Sequence, residues 1–106
     1  MSTKSMRSRT LPTPTSSPTP EQILTERGKR YGEFAGHANI TQALKDSMRQ
    51  MRNWETLEDD QKEALEMISH KIGRILNGDP NWQDSWDDIA GYAKLVSQRL
   101  TKEQAE

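Results

Sequence analysis

Apolar side chains recur every three or four residues through most of the chain after position 20, which is the spacing of helices that bury one face. Turn residues divide this pattern into separate segments. The spacing predicts four helices and no strand, namely Pro20 to about Arg27, Ile40 to Trp54, Leu57 to Leu76, and about Trp82 to Lys102. The predicted fold class is therefore all-α.

Signals at the helix ends support this division. Thr19, with Gln22 three residues later, forms a capping box that starts the first helix. Thr56 is the expected N-cap of the third helix, and Gly78 is its expected left-handed C-cap. Because only a short turn separates the third helix from the fourth, the two are predicted to form an antiparallel hairpin.

The apolar stripes of the three longer helices are the expected core. A stripe that contains methionine is typical of a core or a subunit interface. The stripes are Ile40, Leu44, Ser47, Met48 and Met51; Leu65, Ile68, Ile72, Ile75 and Leu76; and Trp86, Ile89, Ala93, Val96 and Leu100. His37 stands in a polar stretch and is expected at the surface or as a cap.

Length and composition indicate one small domain. The chain has 106 residues, of which 31% are apolar and 29% are charged, so its core must be narrow. Residues 1–19, rich in Ser, Thr and Pro, are predicted to be a disordered tail, and residues 20–106 a helical domain. A domain this small, with three Met and three Trp, is expected to cover its apolar surface by forming at least a dimer.

Several classes of function are excluded by composition. Without cysteine there is no disulfide, thiolate nucleophile or cysteine-type zinc site, and two histidines alone do not make a zinc site. From Glu21 onward the chain has 12 basic and 16 acidic residues, so duplex nucleic acid is not an expected partner. No apolar run is long enough to cross a membrane. We expect a soluble, cytoplasmic protein.

The segment from Arg27 to Phe34 contains two glycines and is predicted to be a bent loop or an interrupted helix. One interpretation is functional: backbone N–H groups with Arg27 and Arg30 bind phosphate, while Tyr31 or Phe34 stacks on a base. The other is structural, with the two aromatic rings completing the core.

Spaced acids on the third and fourth helices form a second candidate site. Glu63 and Glu66 are three residues apart, and Asp84 with Asp87 repeats the spacing, followed by Asp88. Mg²⁺ prefers oxygen ligands and combines a few carboxylates with substrate phosphates. The acids are therefore a candidate Mg²⁺ site, although acids near a helix N-terminus are also favourable by themselves.

Cations on the third helix complete the candidate site. Glu63, Glu66, His70 and Arg74 fall on one face of that helix, away from its apolar stripe. Lys71 and Arg74 are the candidates there for phosphate binding, together with Arg30 from the earlier segment.

The segments ERGKRYGEF and EALEMISHKIGRILNGDPNWQDSWDDIAGYAKL resemble a family of short, mostly bacteriophage-encoded helical proteins of unknown function. More distantly, the chain is similar to nucleotide-modification-associated domains and to MazG-like all-alpha nucleoside triphosphate pyrophosphohydrolases. The acidic pattern of these hydrolases falls here on Glu63, Glu66, Asp84, and Asp87 or Asp88. Asp84 stands where that pattern has Glu, which shortens its reach toward a metal ion. The resemblance implies an oligomer and, for a phage protein, a place in the host cytoplasm.

Three functions remain open from the sequence. The first is a Mg²⁺-dependent nucleotide hydrolase with Glu63, Glu66, Asp84 and Asp88 as ligands. The second is a protein that binds a nucleotide signal in the same place without turning it over. The third is a protein that occupies a host protein through an acidic helical surface.

Overall fold

A computed structural model describes residues 17–105, so most of the predicted disordered tail lies outside the described residues. Within this range the chain is all-α and contains no strand, which confirms the predicted fold class. The α-helices are α1 (Pro20–Tyr31), α2 (Phe34–Arg49), α3 (Asp59–Asn77) and α4 (Gln83–Ala105), with a 3₁₀ helix (Arg52–Thr56) between α2 and α3. No helix in this part of the chain is long and apolar enough to cross a membrane.

Helix α1 begins where the capping box predicts. The Thr19 hydroxyl accepts a hydrogen bond from the Gln22 N–H at 3.1 Å, and the Thr19 N–H donates to the Gln22 side chain at 2.8 Å. The predicted end near Arg27 is wrong, because α1 continues through Gly28 to Tyr31. Glycine inside a helix costs only about 1 kcal/mol, which does not break an otherwise regular helix.

The link between α1 and α2 is shorter than the predicted loop. It consists of Gly32, with a positive φ of 78°, and Glu33. Helix α2 therefore starts at Phe34, not Ile40, and it ends at Arg49. Predicted as the end of this helix, Trp54 instead lies in the 3₁₀ helix and is buried.

The predicted N-cap of α3 is wrong, whereas Gly78 is its C-cap as predicted but has a different backbone conformation. The Thr56 hydroxyl donates to the Asn53 carbonyl at 2.7 Å within the 3₁₀ helix, and Glu58 is the N-cap of α3. The Glu58 N–H donates to the Gln61 side chain at 2.8 Å, so the same type of signal operates two residues later. At the other end, Gly78 has a φ of −133° and is not left-handed.

The end of α3 is joined directly to the link between α1 and α2. The Asn77 side-chain amide donates to the Tyr31 and Glu33 carbonyls, each at 2.8 Å. Two residues later, the Asp79 N–H donates to the Arg30 carbonyl at 2.5 Å. These bonds bring four helix ends together: the ends of α1 and α3 and the starts of α2 and α4.

Helices α2, α3 and α4 form a single layer with α3 in the middle. Helices α2 and α4 each pack along α3, and within residues 17–105 they make few or no contacts with each other. Ion pairs tie the layer together: Arg49 with Glu66 at 2.7 Å, Lys71 with Asp88 at 3.1 Å, and Arg99 with Asp60 at 2.6 Å. The last pair joins the end of α4 to the start of α3, which confirms the antiparallel hairpin.

The predicted apolar stripes are not enclosed in a core within one chain. Among apolar side chains of the described residues, only Trp54 and Ala64 are buried. Leu65 is 39% exposed, Leu76 is 68% exposed and Trp86 is 54% exposed. The periodicity correctly identifies one face of each helix, but a single layer of helices leaves that face uncovered.

Two glycine substitutions test the junction. A Cβ at position 32 would clash with the Asn77 carbonyl oxygen in a backbone with positive φ, so Gly32→Ala should lower the melting temperature by about 8 °C or more. A Cβ at position 28 meets nothing within 4 Å, so Gly28→Ala should leave the melting temperature unchanged or raise it slightly. Thermal circular dichroism at equal protein concentration measures both. Equal shifts would contradict the proposed importance of the junction.

Candidate functional site

A cavity of about 520 Å³ opens where α1, α2 and α3 meet on one side of the layer. Helix α1 and the link after it supply one wall, and α2 and α3 supply the other. The lining residues are Leu24, Arg27, Gly28, Tyr31, Gly32, Glu33, Phe34, His37, His70 and Arg74. The volume lies within the range of small-ligand sites, about 300 to 1,000 Å³.

Two arginines give this cavity positive charge. The Arg74 guanidinium lies 4.3 Å from the centre of the Tyr31 ring, which fixes it against the wall that α1 supplies. Neither Arg74 nor Arg27 forms an ion pair within the described part of the chain. Glu33 is the one acid among the lining residues of the cavity. The two guanidinium groups therefore keep their donors for an anionic ligand.

A chain of polar contacts runs from α2 to α3 and back. The Lys45 ammonium lies 2.9 Å from His70 Nε2, and His70 Nδ1 lies 3.4 Å from His37 Nε2. An ammonium group only donates, so His70 Nε2 must accept and the His70 proton is on Nδ1. That proton points to His37 Nε2, which leaves the His37 proton on Nδ1. His37 Nδ1 is buried and has no hydrogen-bond partner among the described residues.

His37 is buried, which corrects its expected surface position. The cause is Gly73 on α3: a Cβ there would stand 2.9 Å from His37 Nδ1 and 2.7 Å from Thr41 Cγ2. Glycine thus allows α2 to approach α3 closely at two successive turns. Small buried residues, Ser69 and Gly73 four apart on α3 and Thr41 on α2, are the sequence signal that would have placed His37 inside.

Burial and neighbouring charge both favour the neutral imidazoles. Burial lowers the pKa of His37 below its ordinary value of 6.5, and the electrostatic effects of His70, Arg74, Lys45 and Lys71 lower it further. Burial likewise lowers the pKa of His70, followed by the charges of Lys45, Arg74 and Lys71, against a smaller opposing effect of Glu66. The site therefore has fixed cations around two neutral rings at neutral pH.

The five residues predicted to bind the phosphate or the base of a nucleotide are separated by the fold. Arg27, Tyr31 and Arg74 line the cavity together. Arg30 instead stacks over the Trp82 ring at 4.4 Å, and buried Lys71 pairs with Asp88 between α3 and α4. Both histidines were missed as members of this site.

The predicted Mg²⁺ ligands are not gathered in one place. Glu66 pairs with Arg49 toward α2, whereas Asp88 pairs with Lys71 toward α4. Glu63 and Asp84 are exposed. Within residues 17–105 there is no group of three or more acids or histidines that could hold a metal ion. As placed in one chain, these carboxylates do not fit a Mg²⁺ site.

Titration of the two histidines tests the electrostatics of the cavity. Both imidazole midpoints, followed by NMR, should lie below 6.5, and His70→Gln should leave one signal and so assign them. Between the lowered pKa values and 6.5, the unfolded chain binds more protons than the folded chain does. The free energy of unfolding should therefore decrease as the pH drops below 6.5, whereas above 6.5 both imidazoles are neutral in both states and cause no such loss. A midpoint above 6.5 for either ring would contradict this arrangement.

Comparison with known proteins places the chain in a family. Residues 18–100 match the family described as Domain of unknown function (DUF6378). No curated protein and no solved structure matches the chain. Since the matching segment covers all but the ends of the chain, from α1 to near the end of α4, this protein belongs to the DUF6378 family.

Proposed function

We propose that this protein binds a small anionic ligand of the nucleotide class, with a phosphate and a flat ring, in the cavity between α1, α2 and α3. The observation that carries the proposal is the meeting of Arg27 and Arg74 with Tyr31 and Phe34 around one cavity. Unpaired guanidinium groups suit phosphate oxygens, and the exposed Phe34 ring suits a base.

The two aromatic rings have different roles in this proposal. One face of Tyr31 is covered by Arg74, so Tyr31 holds the cation in position. The Phe34 side chain is 81% exposed, at the first residue of α2 and on the rim of the cavity. A ring so exposed at the mouth of a charged cavity is available to stack on a nucleobase.

Binding without hydrolysis is favoured over a MazG-like pyrophosphohydrolase activity. The hydrolase needs several carboxylates around one Mg²⁺ ion. Here Glu66 and Asp88 are each paired with a separate cation. The proposed role is therefore the sequestering or sensing of a nucleotide, which in a phage protein would act in the host cytoplasm.

Calorimetry with the full chain tests the ligand class. ATP, AMP, adenosine and inorganic phosphate form the panel, and we expect ATP and AMP to bind and adenosine to bind much more weakly. Arg74→Gln should weaken AMP binding about 10-fold or more, since a hydrogen bond to a charged group contributes about 1.5 to 3 kcal/mol. Arg52→Gln removes an equal charge from the exposed 3₁₀ helix and should leave binding unchanged.

Two results would refute this proposal. One is equal weakening by Arg74→Gln and Arg52→Gln, which would mean that only net charge matters. The other is no binding by any member of the panel, which would favour the host-protein interaction left open by the sequence.

A double-mutant cycle tests the hydrolase alternative. Because Glu66 and Asp88 have different cationic partners, Glu66→Gln and Asp88→Asn should change the melting temperature additively, with and without Mg²⁺. Product analysis of ATP incubated with Mg²⁺ accompanies the cycle. Non-additive, Mg²⁺-dependent effects together with turnover would instead establish the hydrolase.

A further inference from the structure

The layer of α2, α3 and α4 has one face that is apolar, here called the open face. At about 100° per residue, Leu65, Ile68, Ile72 and Leu76 of α3 lie within one narrow arc. This arc falls between the flank of α3 that contacts α2, marked by Gly73, and the flank that contacts α4. By the same helical spacing, the open face also includes Ile40 and Leu44 of α2 and Trp86, Ala93 and Leu100 of α4.

The polar contacts lie on the opposite side of the layer. On α3, Glu66 and His70 bind partners from α2, and Lys71 binds a partner from α4. All three lie within about a quarter of a turn of the middle of the face that is opposite the apolar arc. Ion pairs and the ligand cavity therefore occupy one side of the layer, and the apolar stripes occupy the other.

One layer of helices does not make a stable domain by itself. Helices must bury their apolar stripes against a second layer. In this chain only two apolar side chains are buried among the described residues, far fewer than a domain of this length needs. One chain therefore leaves the apolar face of its layer unburied. Whatever covers this face must be present whenever the chain is folded.

We propose that the open face is covered by the open face of a second copy, related by a two-fold axis. A groove of about 550 Å³ on this face, between α3 and α4, is lined by residues of which none is charged. Such a surface meets its own copy without like-charge repulsion, although the chain from Glu21 onward is acidic overall. A different protein that is recognised by its charge would find no charged residue to bind in this groove.

The resulting dimer has two layers of three helices and a shared apolar core. Both ligand cavities face outward, since each lies on the polar side of its own layer. Dimer formation therefore leaves the cavities open, and this inference stands or falls independently of the proposed function.

Paired substitutions of exposed apolar residues test the interface. Light scattering of the purified full chain should give about twice the 12.2 kDa of one chain. Leu76→Lys and Trp86→Lys change residues that one chain leaves exposed, and each occurs twice in the dimer. Each should weaken dimerisation about 100-fold or more, because apolar contact is lost on both sides of the axis.

Leu95→Lys is the matched control. Leu95 is 64% exposed and lies on the side of α4 opposite Trp86, so this variant should remain a dimer. As a second measurement, the melting temperature of the unchanged protein should rise with concentration between about 1 and about 100 µM. This readout does not depend on whether a variant folds.

Three outcomes would overturn the proposal. They are a folded 12.2 kDa species whose melting temperature does not depend on concentration, a dimer that survives Leu76→Lys and Trp86→Lys together, and an assembly with an odd number of chains.

Discussion

The Asn77 side chain is the contact on which the arrangement of this protein depends. Its amide donates hydrogen bonds to the Tyr31 and Glu33 carbonyls, on either side of Gly32. These bonds fix the angle between α1 and α2. The carbonyls of a helix end and of a tight link would otherwise need water, and one amide group satisfies both. Because Asn77 is itself the last residue of α3, the turn that orients α1 is positioned by the helix that carries Arg74.

The layer separates polar from apolar contacts more completely than a compact domain does. Its buried polar residues, among them His37, Thr41, Ser69 and Lys71, lie where helices touch, while large apolar side chains remain exposed. Close contact of α2 and α3 comes from small residues, not from interlocking aliphatic chains. The specificity of helix pairing therefore depends on hydrogen bonds and on the complementary shapes of small residues. Most of the hydrophobic contribution to stability must come from the open face, which lies outside these helix contacts.

Helix number, helix faces and the hairpin follow from the sequence, because periodicity and capping residues act within a few positions along the chain. The end of α1 does not, since whether Gly28 or Gly32 ends the helix is decided by Asn77, more than 40 residues away. The same holds for the site. Arg27, Tyr31 and Arg74 are recognisable as residue types that bind a nucleotide, but the separation of Lys71 and Arg30 from them depends on which element each side chain contacts. The spacing of the acids alone suggests a shared Mg²⁺ site, because spacing does not show that Glu66 and Asp88 pair with different cations.

Helix α1 contributes no buried residue and is attached mainly through its last turn and the link that follows. The two walls of the ligand cavity consequently differ in stiffness. The wall formed by α2 and α3 is held by packing along both helices and by the Arg49–Glu66 ion pair, whereas the wall that carries Leu24 and Arg27 belongs to a helix anchored at one end. The angle of α1 therefore sets the width of the cavity, and a small rotation about Gly32 and Glu33 moves Arg27 relative to a nearly fixed Arg74.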